Sequence, residues 1–335
     1  MSDLLEEIRS AIEKELQDQI TRLSLKHTQS FLDMLTYHMG WSGKGAGPAA
    51  TGKRLRPLLL LLTTCALDED WRPALPAAAA VELIHNFSLV HDDIQDNSET
   101  RRGRLTVWKI WGIPMAINAG DALFVISNQA LLDLHRYYPA ERVIRAATIL
   151  HENCLALTTG QFLDLAFQNS KAGSLDDYWN IVNGKTAALL SASTSIGALL
   201  SGCGPEGDES LRLFGFHLGR AFQVEDDILG IWGDEIQTGK PTGNDLMEGK
   251  NSLPVIFGLT KQNRFAETWA HGIHSQDQAA QAARDLIDEG ALDFARRIAE
   301  EETDKALRYL LQAEPRGEAG EVLIDMTRRL LDRRA

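Results

Sequence analysis

The sequence predicts an all-α, single-domain helical bundle around a central cavity. Three observations carry that expectation. No stretch keeps up the period-two alternation of a half-buried strand. Apolar residues instead recur at helical spacing along most of the chain. No Pro/Ser-rich linker or break in composition divides the 335 residues, so 1–335 reads as one domain although the length alone would allow two.

Composition narrows the function. A net charge of −13 argues against a nucleic-acid or anionic-membrane binder. Cys65, Cys154 and Cys203 show no metal spacing and read as small apolar residues in a reducing, cytoplasmic setting. The start, MSDLLEEIRS, is acidic and amphipathic, unlike a signal peptide. The longest apolar run, Leu58–Leu67, is far short of the roughly 20 residues that span a bilayer, so no membrane span is expected.

Residues 3–38 place Leu4, Leu5, Ile8, Ala11, Ile12, Leu16, Ile20 and Leu23 at helical spacing among charged residues. That predicts one amphipathic helix or two, packed on the domain or at a subunit interface. Residues 40–52, GWSGKGAGPAATG, read as a loop. Gly47-x4-Gly52-Lys53 nearly matches a P-loop, but Arg54 stands where Ser or Thr should bind the metal, and no strand precedes it. Lys53 and Arg56 flank this turn where a helix begins, which suits an anion; ordinary solvent contacts are the plain alternative. PAAAAVELIHNFSLVHDD is a buried helix by its Ala, Leu and Val content. Pro114 suits a helix start, and MAINAGDALFVISNQALLDL is apolar nearly all round, so it should be central. Its Ala119, Gly120 and Ala122 allow close packing or line a pocket. Helices near 140–169 and 175–203 follow, the second capped by Ser174. Gln161 and Asp164 are polar in an apolar context, and Lys185 and Thr186 sit mid-helix, where a buried Lys needs a partner. After Pro254 come further helices, including 290–313 and 318–333, with Arg328, Arg329, Arg333 and Arg334 near the end.

Two acidic clusters carry the chemistry. Asp92, Asp93 and Asp96 form DDxxD, with Arg101 and Arg102 close behind. On a helix, Asp92 and Asp96 share a face, and such neighbours repel unless a cation sits between them. Asp226 and Asp227 end a second apolar helical run, and Lys240, Asp245 and Lys250 follow in a polar stretch. One such cluster is more often a solvated helix end. Two, each followed by basic residues, suit Mg²⁺ ions that bridge the clusters through a diphosphate, with Arg and Lys neutralising the remaining oxygens.

GKRLRP (52–57), HNFSLVHDDIQDNSETRRG (85–103), GD (120–121), GQFLD (160–164), GKTAAL (184–189), FQVEDDIL (222–229) and GKPTGNDLMEGKNSLP (239–254) occur in the order found in the trans-isoprenyl diphosphate synthases, or polyprenyl synthetases. The chain resembles that family, most closely its short-chain geranylgeranyl diphosphate synthases. The resemblance implies the isoprenoid synthase type I fold, a homodimer, and Mg²⁺, about three ions per active site. It implies head-to-tail condensation of isopentenyl diphosphate with dimethylallyl, geranyl and farnesyl diphosphates. Asp92, Asp96 and Asp226 would be metal ligands. Asp93, Arg101, Lys185, Gln223, Asp227, Lys240 and Lys250 would bind the allylic diphosphate. Gly52, Lys53, Arg56, His85 and Arg102 would bind isopentenyl diphosphate. Lys185, Thr186 and Gln223 would be catalytic: Lys185 would hold the allylic diphosphate, the carbonyls beside it would face the allylic cation, and Gln223 would add to that stabilisation; His91 would support the cluster from behind.

The chain departs from the family at Gly230, where the second DDxxD should end in a carboxylate; Asp234 and Glu235 just beyond are candidates to replace it. Phe87 and Ser88, five and four residues before Asp92, are the chain-length positions by resemblance. An aromatic followed by a small residue there implies geranylgeranyl diphosphate (C20). Farnesyl (C15) and geranylfarnesyl (C25) diphosphate are the alternatives. A non-catalytic subunit of a heteromeric synthase would be expected to have a damaged first cluster, and this one is intact.

Overall fold

The computed structural model describes residues 3–22, 29–168, 173–233 and 242–329. Helices make up nearly all of their regular structure, as the all-α expectation requires. The chain runs through α1 (Asp3–Thr21), α2 (Gln29–His38), α3 (Pro48–Thr51), α4 (Leu55–Ala66) and α5 (Leu75–Gln95). Next come β1 (Thr100–Arg101), β2 (Arg104–Leu105), α6 (Val107–Trp111), α7 (Ile113–Leu132) and α8 (Ala140–Gln168). After α9 (Leu175–Val182), a π-helical turn at Asn183–Ala187 leads into α10 (Ala188–Ser201) and α11 (Pro205–Trp232). The chain closes with α12 (Asn244–Met247), α13 (Leu253–Lys261), α14 (Arg264–His271), α15 (Gln276–Asp288), α16 (Ala291–Gln312) and α17 (Gly317–Arg328). Two compact units divide these elements: residues 1–154, 192–209 and 314–323 form one, and 155–191, 210–313 and 324–335 the other.

The first unit is built on α5. Residues Ala77–Ala80, Val81, Leu83, Ile84 and Val90 are all buried. Small side chains let α7 approach closely: the hydroxyl of Ser127 donates to the carbonyl of Ala80 at 2.8 Å, and a Cβ on Gly120 would stand 2.3 Å from the ring of His91. Leu58–Leu62 of α4 are buried one after another, so that helix is enclosed on all sides. Ile8, Ile12, Leu16 and Ile20 bury one stripe of α1, as their spacing predicts. The segment Arg72–Gln95 is long and apolar enough to cross a membrane by length and composition, yet 67% of its apolar window is buried inside the protein, as in a core helix. Counting unbroken apolar runs missed it because Glu82 and His85 interrupt the sequence.

Expectation and structure part company at α7. Only one side is buried; Ile113, Met115, Ile117, Val125 and Leu132 are exposed on it. A second difference follows the first acidic cluster, where β1 and β2 pair antiparallel, Arg101 opposite Arg104. Its turn residues Arg102 and Gly103 have φ of 52° and 72°, the left-handed pair that a tight hairpin demands. Strands two residues long leave no alternation to read.

The second unit buries two apolar clusters. Ile231, Val255, Phe265, Ala282 and Leu286 anchor one. Tyr178, Val182, Val224, Ile228, Leu253 and Ile256 anchor the other. Ser174 caps α9 in a full capping box with Asp177. The expected single helix over 175–203 is broken by the π turn. Gly160 and Gly184 explain it: a Cβ on Gly184 would lie 2.6 Å from the carbonyl of Ala156, and one on Gly160 would lie 2.3 Å from the amide of Lys185. Two backbones meet there with no room for side chains.

Candidate active site

In the first unit, α5 ends at Gln95 and Asp96 is its C-cap, its amide bonded to the carbonyl of Asp92 at 2.9 Å. Three carboxylates thus gather where the helix dipole is negative, an arrangement that calls for cations. Arg101 answers part of that need. Its Nε donates to Asp93 at 2.8 Å and its Nη2 to Asp92 at 3.3 Å. Asn97, left-handed with φ 51°, turns the chain between the cluster and Arg101. Asp93 is buried, and burial pushes its carboxyl up to about 6, with Arg101 pulling down and Asp92 and Asp96 pushing further up.

A basic locus lies in the same unit. Gly52 has φ 79°, and a Cβ there would stand 2.6 Å from the guanidinium carbon of Arg102. Arg102 donates from Nη1 to the carbonyl of Ala50 at 2.9 Å. His85 is held neutral, first by burial and then by the charges of Arg56, Arg102, Arg101 and Arg54. The structure therefore brings together Gly52, Arg56, His85 and Arg102, four of the five residues expected to bind one diphosphate; Lys53 is exposed beside them. A pocket lined by Tyr37, His38, Ala50, Asp93, Arg101 and Arg102 opens at this locus.

Arg54 was not singled out from sequence. It caps α4 in the left-handed region, φ 47°, and is buried. Its Nε donates to Glu13 at 2.7 Å, Nη1 to Glu82 at 2.9 Å and Nη2 to the carbonyl of Met39 at 3.1 Å. This clamp fixes the turn that carries Lys53 and Arg56. Its position between those two cations was the available signal.

Phe87 packs edge-on against His91, with centroids 4.9 Å apart, and lies 5.3 Å from Phe124 of α7. Ser88 donates to the carbonyl of His85 at 2.7 Å. Phe124, in the stretch GDALF, also escaped the sequence reading.

In the second unit, Lys185 has the partner its position required: Nζ donates to Asp164 at 2.6 Å. The hydroxyl of Thr186 donates to Gln223 Oε1 at 2.7 Å, and Gln223 Nε2 donates to Asp227 Oδ1 at 2.9 Å. Asp227 is buried and accepts two further bonds at Oδ2, from the Tyr178 hydroxyl at 2.8 Å and the Leu253 amide at 2.9 Å. Burial pushes it up to about 7 despite these donors. Asp226 beside it is half-buried. Both lie inside α11, which runs on to Trp232 and does not end at the cluster as expected.

Lys250 bonds Asp245 at 3.1 Å and Glu248 at 2.8 Å. Lys240, Asp234 and Glu235 lie outside the described residues. The carboxylate that does approach Gly230 is Asp245, whose Oδ2 would be 2.0 Å from a Cβ at that position.

Among the described residues no three His, Cys, Asp or Glu side chains form a metal cage by themselves. Mg²⁺ does not need one: it takes one or two carboxylates and completes its shell with water and phosphate oxygens. The all-oxygen donors at the end of α5 fit that habit.

Known proteins agree with the geometry. The polyprenyl synthetase family profile matches residues 47–289. The chain is 39% identical over 289 residues to a geranylgeranyl diphosphate synthase of Mycobacterium tuberculosis, covering 84% of this chain and 81% of that protein. It is 38% identical to a (2E,6E)-farnesyl diphosphate synthase of Mycobacterium bovis, covering 90% and 86%. A geranylgeranyl pyrophosphate synthetase from Pyrococcus horikoshii superposes with a TM-score of 0.88 at 31% identity, over 98% of this chain and 99% of that one.

Proposed function

Because the chain belongs to the polyprenyl synthetase family, we propose that it condenses isopentenyl diphosphate head to tail with allylic diphosphates and stops at geranylgeranyl diphosphate. The observation that carries this reading is the cluster of Asp92, Asp93 and Asp96 on a negative helix end, with Arg101 folded onto it and the guanidiniums of Arg54, Arg56 and Arg102 nearby. A polyanion with bound cations is what such a mixture of charges accepts.

In the first unit, Asp92 and Asp96 would hold Mg²⁺, and Arg101 binds the allylic diphosphate. Gly52, Lys53, Arg56, His85 and Arg102 hold the diphosphate of isopentenyl diphosphate. In the second unit, Asp226 would be the metal ligand, and Lys185, Lys240 and Lys250 neutralise the leaving diphosphate. Mg²⁺, when bound, adds charge stabilisation to that leaving group. The C–O bond breaks, and Gln223 and Thr186 present oxygen dipoles to the allylic cation. The double bond of isopentenyl diphosphate attacks C1, and the departing diphosphate takes the proton.

Phe87, wedged between His91 and Phe124, supports the C20 limit, and the relatives named for geranylgeranyl diphosphate point the same way. The exposed apolar residues of α7 support a homodimer, since single chains rarely leave such a face in water. The test is incubation of the purified protein with Mg²⁺, isopentenyl diphosphate and C5, C10 or C15 primers, with products identified by mass. A C20 product is expected. C15 or C25 would revise the chain length, and no consumption of isopentenyl diphosphate would overturn the reading.

A further inference from the structure

We propose that Tyr178 is a positioning residue for Gln223, acting through Asp227. The inference rests on the prenyl-transfer reading above and extends it to a residue that touches no substrate. Four side chains of the second unit form one chain of hydrogen bonds. Tyr178 donates to Asp227 Oδ2, Gln223 Nε2 donates to Asp227 Oδ1, and Thr186 donates to Gln223 Oε1. The Leu253 amide adds a second donor at Asp227 Oδ2.

The order of donors fixes the Gln223 amide. Its nitrogen must face the carboxylate and its oxygen the Thr186 hydroxyl. An amide offers two N–H donors and two oxygen lone pairs. The network uses one of each and leaves one lone pair of Oε1 for the allylic cation. Nothing else in the network holds Asp227 from the side of α9: the Leu253 amide belongs to α13, and Gln223 is on the same helix as Asp227. Tyr178 is 4% exposed and packs among Val182, Val224, Ile228 and Leu253. Its ring is core. Its hydroxyl is the polar atom in that setting, and it is spent on Asp227. Tyr178 also precedes the π turn that carries Thr186, so one aromatic side chain ties both ends of the Thr186–Gln223 bond to a fixed point.

The test measures kcat and KM for Tyr178→Phe, which keeps the ring and removes the donor. Loss of a hydrogen bond to a carboxylate should lower kcat about tenfold, with KM for isopentenyl diphosphate within about twofold. The same substitution in a Gln223→Ala background should have no further effect on kcat, because the group being positioned is gone. An unchanged kcat for Tyr178→Phe overturns the proposal, as does an equal loss in both backgrounds. If the phenylalanine variant does not fold, p-aminophenylalanine and p-methylphenylalanine at 178 carry the comparison, being similar in size with only the first a donor. Activity retained by the amine and lost by the methyl supports the proposal; equal activities overturn it. Wild-type protein run alongside separates the two readings, since its failure to consume isopentenyl diphosphate sinks the function itself and not Tyr178's part in it.

Discussion

Gly230 and Asp245 share one space: a Cβ on the glycine would come within 2.0 Å of the aspartate's Oδ2. The family's second cluster places a carboxylate at position 230, and here another carboxylate has taken the room. Gly230→Asp, which restores the family pattern in sequence, is therefore expected to cost about 1–3 kcal/mol by overpacking, and to set two like charges together. Adding Asp245→Gly should recover much of the loss. Melting temperatures and turnover of the two variants check this; a stable, fully active Gly230→Asp would refute it.

Asp92→Ala and Asp226→Ala should each abolish turnover, and excess chelator should silence the wild type. Full activity in either variant or in chelator counts against both clusters as metal sites.

Lys53→Ala and Arg56→Ala should raise KM for isopentenyl diphosphate. A charge-assisted phosphate contact is worth roughly 1.5–3 kcal/mol, so the rise is about tenfold or more. If only the allylic substrate's KM moves, the two diphosphate sites are assigned the wrong way round.

Phe87→Ala should lengthen the product and Ser88→Phe should shorten it, because each changes the room beneath the cluster. Phe124, 5.3 Å from Phe87, should respond in the same direction as Phe87 when truncated. Wild-type chain length from all three, read by mass, would exclude this trio as the limit.

Glu302 gives a pH prediction. Burial pushes its carboxyl up, but hydrogen bonds from His217 and Lys305 and the charge of Arg220 outweigh it, and its pKa is lowered below 4.5. A carboxylate lowered in the native state contributes stability that is fully present above about 4.5 and is lost as pH falls through the native value. Glu302→Gln should thus be less stable than wild type by about 1–3 kcal/mol near pH 7. The gap should narrow below pH 4.5. Urea titrations at pH 7, 5 and 3 measure it; a gap that widens on acidification would contradict the assignment.

The helices were legible because their apolar residues repeat within a few positions, the first Asp cluster because Asp92 and Asp96 are one helical turn apart, and the second because Asp226 and Asp227 stand in an apolar helical run followed by basic residues. Arg54, Tyr178 and Asp245 were not, since each acts through a partner far away in sequence: Glu82, Asp227 and Gly230. The β1–β2 hairpin was hidden by its brevity. α7 was expected to be enclosed because hydropathy reports what a face prefers and not what covers it. The break at 183–187 escaped because its cause, the contact of Gly184 with Gly160, lies on another helix.

That break sets the phase of everything around it. A π turn stores one residue more than an α-helix of the same span, so α9 and α10 are offset by roughly 100° from where an uninterrupted helix would put them. Deleting a single residue from Asn183–Ala187 would let 175–201 run as an ordinary helix. It would also rotate Tyr178 out of reach of Asp227 while Thr186 stayed with α10. The surplus residue acts as a vernier between the two helices, and an indel there would cost alignment even where it gained helical hydrogen bonds.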